Sequence, residues 1–394
     1  MNAMRVGPPA RLAVGWLTMF VVGTDLFVVS PLLPMIATDF RVSPVMAGLC
    51  VTVFSLTYMV SAPLFGHVAD RIGRRRMLVC CLAAFAAANL LTATAASMIW
   101  LLAARVAAGA AAAGVTPSVY ALVGGAAPPD RRATWMALVV SGLLVSLALG
   151  APIGAWAGAS IGWGPVFAVL AGLSLCLVWP NLAIWPRDQG ATEGGGGPSF
   201  TALPAVLVAR RLMPMVVWST GLYGMYTYLG TGLATAGFST HQIARAILFY
   251  GCGAIAGVLL GGRLADRFGA KVMAAASFLG LAACFLLVQL AIHNSVLVEF
   301  TLLLTSAVAQ LFFPAQQAGL ADDFPTRRAT MLAWNNSALF FGISLGSLVG
   351  GQAVALAGFE TNLVISAGIA LSGCIITGGV ALAPARLRPA DYPV

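Results

Sequence analysis

Two ionisable residues stand where apolar ones are expected. Asp25 lies in "GTDLFVVSPLLP" (23–34), within an apolar run from Leu12 to Ile36, and Arg105 lies in a second apolar run, "LLAARVAAGAAAAG" (101–114). A charged side chain at the middle of a bilayer costs about 2.5–3.5 kcal/mol even on insertion scales, so it is retained for a reason. The chemistry open to such a pair is reversible protonation. Burial and a neighbouring guanidinium pull a carboxyl's proton affinity in opposite directions. A carboxyl whose surroundings alternate between wet and dry therefore takes up a proton in one state and releases it in the other. The plainer alternative is a fixed ion pair that fastens two helices, which only excellent geometry brings to break-even.

Depth makes the pairing reasonable. Asp25 precedes Ile36 by 36 − 25 = 11 residues, about 16 Å along a helix, and Arg105 sits roughly 10 Å into its own run. The two lie within about a helical turn of each other in depth, close enough for contact or a water bridge. Of the 12 acids, Asp25 alone lies deep in an apolar segment, and Arg105 is the only base that does.

The elements that must hold this pair follow from composition. The chain has 394 residues, 60% of them hydrophobic and 8% charged, with mean hydropathy +0.94; soluble domains carry about a quarter charged residues. Apolar segments begin near residues 12, 45, 77, 98, 134, 163, 212, 242, 271, 296, 330 and 361. Each is about 20 residues long, enough to cross the hydrocarbon core as a helix. The expectation is an all-α membrane protein of twelve transmembrane helices. The first run, about 25 residues, is too long for a signal-peptide core and reads as an uncleaved span.

Other chemistries are unsupported. The 7 cysteines all fall in apolar runs without metal-ligand spacing and read as packing residues. His67, His241 and His293 sit near segment edges with no metal pattern. There is no G-x-x-x-x-G-K-[ST] loop for ATP and no triad-like grouping, so no metal, no organic cofactor and no enzymatic activity are expected.

Charge orients the segments. Of 21 Lys and Arg, all but Arg41, Arg105 and Arg245 fall in the tails or in the linkers after segments 2, 4, 6, 8 and 10. The positive-inside rule then places both termini in the cytoplasm, and the +9 net charge calls for no nucleic acid. Residues 186–211 contain "ATEGGGGPS", a flexible connector between halves 1–185 and 212–394.

Those halves are copies. "GHVADRIGRR" at 66–75 recurs as "GRLADRFGAK" at 262–271, and "RRAT" at 131–134 recurs at 327–330. Both offsets are 196 (262 − 66 and 327 − 131), and Gly150 and Gly154 match Gly346 and Gly350 at the same offset. A duplicated six-span unit is an architecture of secondary transporters, with the substrate site between the halves near the midplane. The repeat also serves as a control. Asp25 maps onto Gly221 and Arg105 onto Thr301, so neither charge belongs to the shared scaffold. Pro152 maps onto Leu348, which predicts a bend in segment 5 peculiar to the first half.

The paired G-x-x-x-D-R-x-G loops, the six-plus-six spans, "LLAARVAAGAAAAG" and "SLALGAPIGAWAG" resemble the major facilitator superfamily across essentially the whole chain. Within it, the chain is similar to the twelve-helix drug/proton antiporter family, nearest to its drug, sugar and nucleoside exporters. Ala151 between Gly150 and Pro152, Ala155 and Gly164 depart from that family's pattern. The resemblance implies two pseudo-symmetric six-helix halves, a cavity lined by segments 1 and 4, and proton coupling at Asp25 with Arg105. It implies a cytoplasmic latch from Gly66, Asp70, Arg71, Gly73, Arg74, Arg75, Asp130 and Arg131, with Gly262, Asp266 and Arg267 in the second copy. Gly150, Pro152 and Gly154 would seal segment 5 against proton leak.

Substrate contacts are expected among polar and aromatic residues inside segments. These are Tyr58, Asn89 and Tyr120 in the first half, and Tyr223, Tyr226, Tyr228, Gln310, Gln316, Asn335 and Asn336 in the second. The expected function is export of small organic molecules in exchange for protons, driven by the proton gradient, by a monomer in a bacterial-type inner membrane. A proton-coupled uptake symporter and a non-transporting membrane sensor on the same fold stay open as alternatives.

Overall fold

The computed structural model describes residues 8–128, 131–186, 205–324 and 327–382, and every regular element among them is helical. Helices α1 (Pro8–Asp39), α2 (Pro44–Ile72), α3 (Arg74–Ala93) and α4 (Met98–Ala126) match the first four apolar segments. The fifth is α5 (Arg132–Val145), a π-turn (Ser146–Gly150) and α6 (Ala151–Ile161) in continuous succession, and the sixth is α7 (Trp163–Ile184). Segment 7 is α8 (Ala205–Thr227) followed by α9 (Leu229–Thr235); α10 (Thr240–Phe268) and α11 (Ala270–Ala291) follow. Segment 10 is split into α12 (Ser295–Gln310) and α13 (Phe312–Asp323). Segments 11 and 12 form α14 (Arg328–Leu382), which non-helical backbone at Ala357 and Gly358 breaks in two. Among the described residues, 10 helices are long and apolar enough to cross a membrane, the last being that broken pair. With α8–α9 these account for all twelve segments. Helix α8 begins at Ala205, inside the stretch read as connector.

The ends of the helices are set locally. Ser43, Ser97 and Ser239 cap α2, α4 and α10 by accepting from the backbone N–H groups of Met46, Trp100 and Gln242. Six described residues have positive φ: Arg41, Gly73, Gly162, Gly237, Gly269 and Gly358. They form three pairs, 41 with 237, 73 with 269 and 162 with 358, each separated by 196. The offset read from the loop motifs is thus a property of the backbone. Gly73 and Gly269 have nearly the same conformation, φ 91° and 89°, which lets the chain reverse between tightly joined helices.

Packing repeats as well. A side chain at Gly150 would run into Thr24, and one at Gly346 into Thr220, the same contact 196 residues on. Close approach of helices through small residues is how membrane bundles pack without a hydrophobic drive.

At Pro152 the helix is irregular. Proline has no N–H to give the carbonyl four residues back, and the helix widens into the π-turn, in which Ala151 N–H bonds Ser146 O. Its counterpart Leu348 lies in uninterrupted α-helix.

Candidate functional site: a buried charge pair within the first half

Helix α1 carries Asp25 and α4 carries Arg105, and the two side chains meet. Arg105 Nη1 donates to Asp25 Oδ1 at 2.7 Å and Nη2 to Oδ2 at 3.0 Å, a two-pronged pairing of carboxylate and guanidinium. Asp25 is 0% exposed and Arg105 1%. The guanidinium carbon stands 4.6 Å from the centre of the Phe54 ring and 5.6 Å from that of Phe167. Arg105 Nε is buried without a hydrogen-bond partner.

Small residues press the neighbouring helices onto this pair. Along α1, Trp16, Thr24, Val28 and Leu32 occupy the space left by Gly142, Gly150, Gly154 and Gly158 of segment 5, and Ser146 fills that left by Gly23. On the far side of the pair, the backbone of Phe54 on α2 lies against Gly109 of α4.

The two halves meet toward the end of the bundle that is poor in arginine. Ser30 donates to the carbonyl of Tyr226, and Tyr226 Oη donates back to Phe27 O at 3.1 Å. Tyr228 Oη donates to Ser347 O at 2.9 Å, and Ser347 Oγ to Gly48 O at 2.9 Å. Gly48 and Gly351 leave the space that the Tyr228 phenol fills. Nearer the middle, Tyr58 stacks on Phe340 at 3.6 Å and accepts from Asn336 at 3.5 Å. A small cavity lined by Leu26, Ser30, Val51, Tyr223, Tyr226, Thr227 and Ile343 lies between the halves, with room for about one water molecule.

The other expected substrate residues have diverse settings. Tyr120 and Tyr223 are partly exposed, and Tyr223 packs edge-on to Tyr226 at 6.2 Å. Asn89 is buried inside the first half and donates to Phe85 O at 3.1 Å on its own helix. Gln310 ends α12, buried. Asn335, also buried, accepts from Gln316 at 3.3 Å, and Gln316 donates to Arg211 O at 3.0 Å.

At the arginine-rich end, Asp70 pairs with Arg74 at 3.1 Å, one turn along and half exposed. Arg75 donates to the carbonyls of Leu182 and Trp185 at 3.3 and 3.2 Å. Gly66 and Gly262 face open space; Arg71, Asp266 and Arg267 are exposed, and so is Arg131. Asp130 lies outside the described residues.

Among the described residues, two arginine–carboxylate pairs escaped the sequence reading. Glu299, near the start of α12, is buried and accepts from Arg245 Nε at 2.6 Å, so Asp25 is not alone among acids in being buried within a span. Arg211 of α8 reaches Asp323 of α13 at 3.1 Å. Unlike Asp25, both acids lie within about a turn of a helix end, where hydropathy gives no sign of burial.

A bundle of twelve apolar helical segments in two repeated halves, with a charge pair sealed in one of them, defines a polytopic membrane transporter architecture. The family model for the Major Facilitator Superfamily matches residues 15–244 and 229–393, and the chain belongs to that superfamily. It is 31% identical over 341 residues to the uncharacterized MFS-type transporter YceJ of Bacillus subtilis (strain 168), covering 84% of this chain and 86% of that one. A chloramphenicol resistance protein of Streptomyces lividans is 31% identical over 259 residues, 64% of this chain and 66% of the relative. Among solved structures, an inward-facing, occupied bacterial homologue of the human lysosomal transporter Spinster superposes with TM-score 0.80 at 16% identity, covering 98% of this chain and 100% of that one.

Proposed function

We propose that this transporter exports small organic molecules in exchange for protons, with Asp25 as the proton-binding group. The observation that carries the reading is the Asp25–Arg105 pair, bidentate, fully buried and absent from the second copy of the repeat. A scaffold feature would be expected in both halves.

The arginine-rich end is the cytoplasmic one on this reading, in a bacterial-type inner membrane with both termini inside. The contacts of Ser30, Tyr226, Tyr228 and Ser347 then close the outer side, with Asp25 ionised against Arg105. Substrate enters among Tyr58, Tyr120, Tyr223 and Asn336, whose ring faces and neutral polar groups suit drug-like, sugar or nucleoside-like molecules. Rocking of the halves parts the outer contacts and admits water toward α1 and α4. A proton then binds an Asp25 oxygen, Arg105 loosens, and substrate leaves. The return carries the proton inward. The loops around Asp70 and Asp266, with Asp130 and Arg131, latch the opposite, outward-open state. Segment 5, with Gly150 and Gly154 pressed onto α1 and Pro152 between them, blocks a leak around Asp25. The relative named for chloramphenicol resistance favours export over uptake, although the same carboxylate serves a symporter equally well. The working unit is a monomer, and the proton gradient is its sole driving force.

Everted vesicles with an acidic interior and a pH-reporting dye test this. Amphenicols, lipophilic cations, sugars and nucleosides are added in turn to wild type and Asp25→Asn. Proton efflux on adding one class, absent in the variant, is the expected result. Equal responses in both would remove Asp25 from the mechanism, and proton movement in the opposite sense would make the protein an uptake symporter.

A further inference from the structure

We propose that Phe54 and Phe167 are positioning residues for Arg105: their ring faces hold its charge while Asp25 is protonated, and so set the pH at which Asp25 exchanges its proton. The inference rests on the reading that Asp25 titrates and adds what makes titration tolerable.

With Asp25 ionised, the pair carries no net charge. When a proton binds a carboxylate oxygen, Arg105 keeps all of its own protons and becomes an uncompensated cation in a site where it is 1% exposed. Its Nε has no hydrogen-bond acceptor to lean on. What remains are the two aromatic faces at 4.6 and 5.6 Å, within the range of cation–π attraction. That attraction is strongest when the counter-charge is gone, so the rings favour the protonated state over the ionised one.

The ring of Phe54 reaches the guanidinium because α2 comes very close to α4. A methyl group on Gly109 would stand 2.3 Å from the Phe54 carbonyl oxygen. Gly109 follows Arg105 by four residues, one helical turn, so the spacing of arginine and glycine in "RVAAG" acquires a physical cause: the glycine seats the ring that lies on the arginine. Phe54 and Phe167 are each 1% exposed.

Few other titratable groups bear on the site. On α1 itself there are Arg11 and Asp39 near its ends; from α2 there is the buried Cys50 and, farther along, Tyr58, His67, Asp70 and Arg71; from α3, Arg74, Arg75 and Arg76 at its start and Cys80 and Cys81; from α4, beyond Arg105, only Tyr120. Helix α8 brings Tyr223, Tyr226 and, at its far end, Arg210 and Arg211; α5 brings Arg132 at its exposed start, and α7 the exposed Cys176. The π-turn, α6 and α9 bring none. Among these, Arg105 is the one charge in contact with Asp25.

The test is an infrared pH titration of the full chain in lipid nanodiscs. The protonated-carboxyl band that disappears in Asp25→Asn reports Asp25 directly, without transport. Phe54→Leu and Phe167→Leu are expected to move its midpoint to lower pH by about half a unit or more, the size of a buried cation–π contact expressed as proton affinity. Gly109→Ala, which keeps both rings but displaces Phe54, moves it the same way, and Phe54→Trp leaves it near wild type. Unchanged midpoints in both leucine variants, or a tryptophan variant shifted as far as leucine, overturn the proposal. A band that never titrates sinks it together with the proton-coupling reading. Titration that shifts as expected, but without substrate-driven proton movement, supports the aromatic clamp and overturns only the exporter reading.

Discussion

Ser30 and Tyr226 occupy equivalent places in the two halves, 196 residues apart, and they touch: the Ser30 hydroxyl donates to the Tyr226 carbonyl. The pseudo-twofold relation between the halves therefore passes beside this contact. Tyr226 returns a bond to Phe27, and two residues later Tyr228 is wedged over Gly48 and Gly351. The aromatic cluster on segment 7 thus serves as a closure between the halves.

Removing one bond from that closure should shift the balance of conformations. Tyr228→Phe keeps the ring but deletes the hydrogen bond to Ser347, worth about 0.5–1.5 kcal/mol. The arginine-poor end should then be open roughly 2- to 10-fold more often. A cysteine placed at Val45, beside Gly351 in the closed end, should react proportionally faster with an impermeant maleimide in a background free of the native cysteines. An unchanged rate would mean that Tyr228 does not hold this end shut.

The charge pair can be tested for fastening separately from titration. Asp25→Asn or Arg105→Gln alone leaves a buried group without its partner and should cost about 3–5 kcal/mol. The double variant, which removes both charges, should recover more than half of that loss in thermal unfolding. Proton coupling should stay absent in all three. Recovery of coupling in the double variant would reduce the pair to a structural fastening.

The two glycine ladders should respond unequally to the same substitution. Gly150→Ala meets the Thr24 side chain, which can rotate, whereas Gly346→Ala meets the Thr220 backbone carbonyl at 2.4 Å, which cannot. Overpacking of this kind costs about 1–3 kcal/mol, and Gly346→Ala belongs at the upper end. Melting temperatures in detergent that rank the other way would refute the packing argument.

Arg41 has φ 52°, while its repeat partner is Gly237. The left-handed conformation costs a side-chain-bearing residue roughly 1–2 kcal/mol, and glycine adopts it freely. Arg41→Gly should stabilise the protein slightly, by about half a kcal/mol once the added chain entropy is counted. A drop in melting temperature would show that the Arg41 side chain contributes more than its strain.

Legibility varied with the range of the interaction. Long apolar runs declare themselves because a helix in lipid must satisfy its own backbone, so eleven of the twelve helix starts fell within about four residues of the reading. Segment 7 began seven residues early, at Ala205 rather than 212, because Arg210 and Arg211 lowered the local hydropathy that marks a span. The interruptions at Tyr228 and Leu311 left no signal in composition. The π-turn was half legible: Pro152 announced an interruption of the hydrogen-bond ladder, and the form it takes, a π-turn over Ser146–Gly150, appears only in the structure.

By itself the sequence determined the helical class, the twelve apolar segments, the duplication at 196 and the oddity of Asp25 and Arg105, because these depend on hydropathy, repetition and charge along a single chain. The tertiary structure decided that the two charges meet face to face, that Phe54 and Phe167 flank the guanidinium, and that Tyr226 and Tyr228 close one end. Each of those depends on the rotation of one helix against another. Small residues at contact points such as Gly109, Gly150 and Gly351 set that rotation, and their effect appears only when the opposing helix is in place.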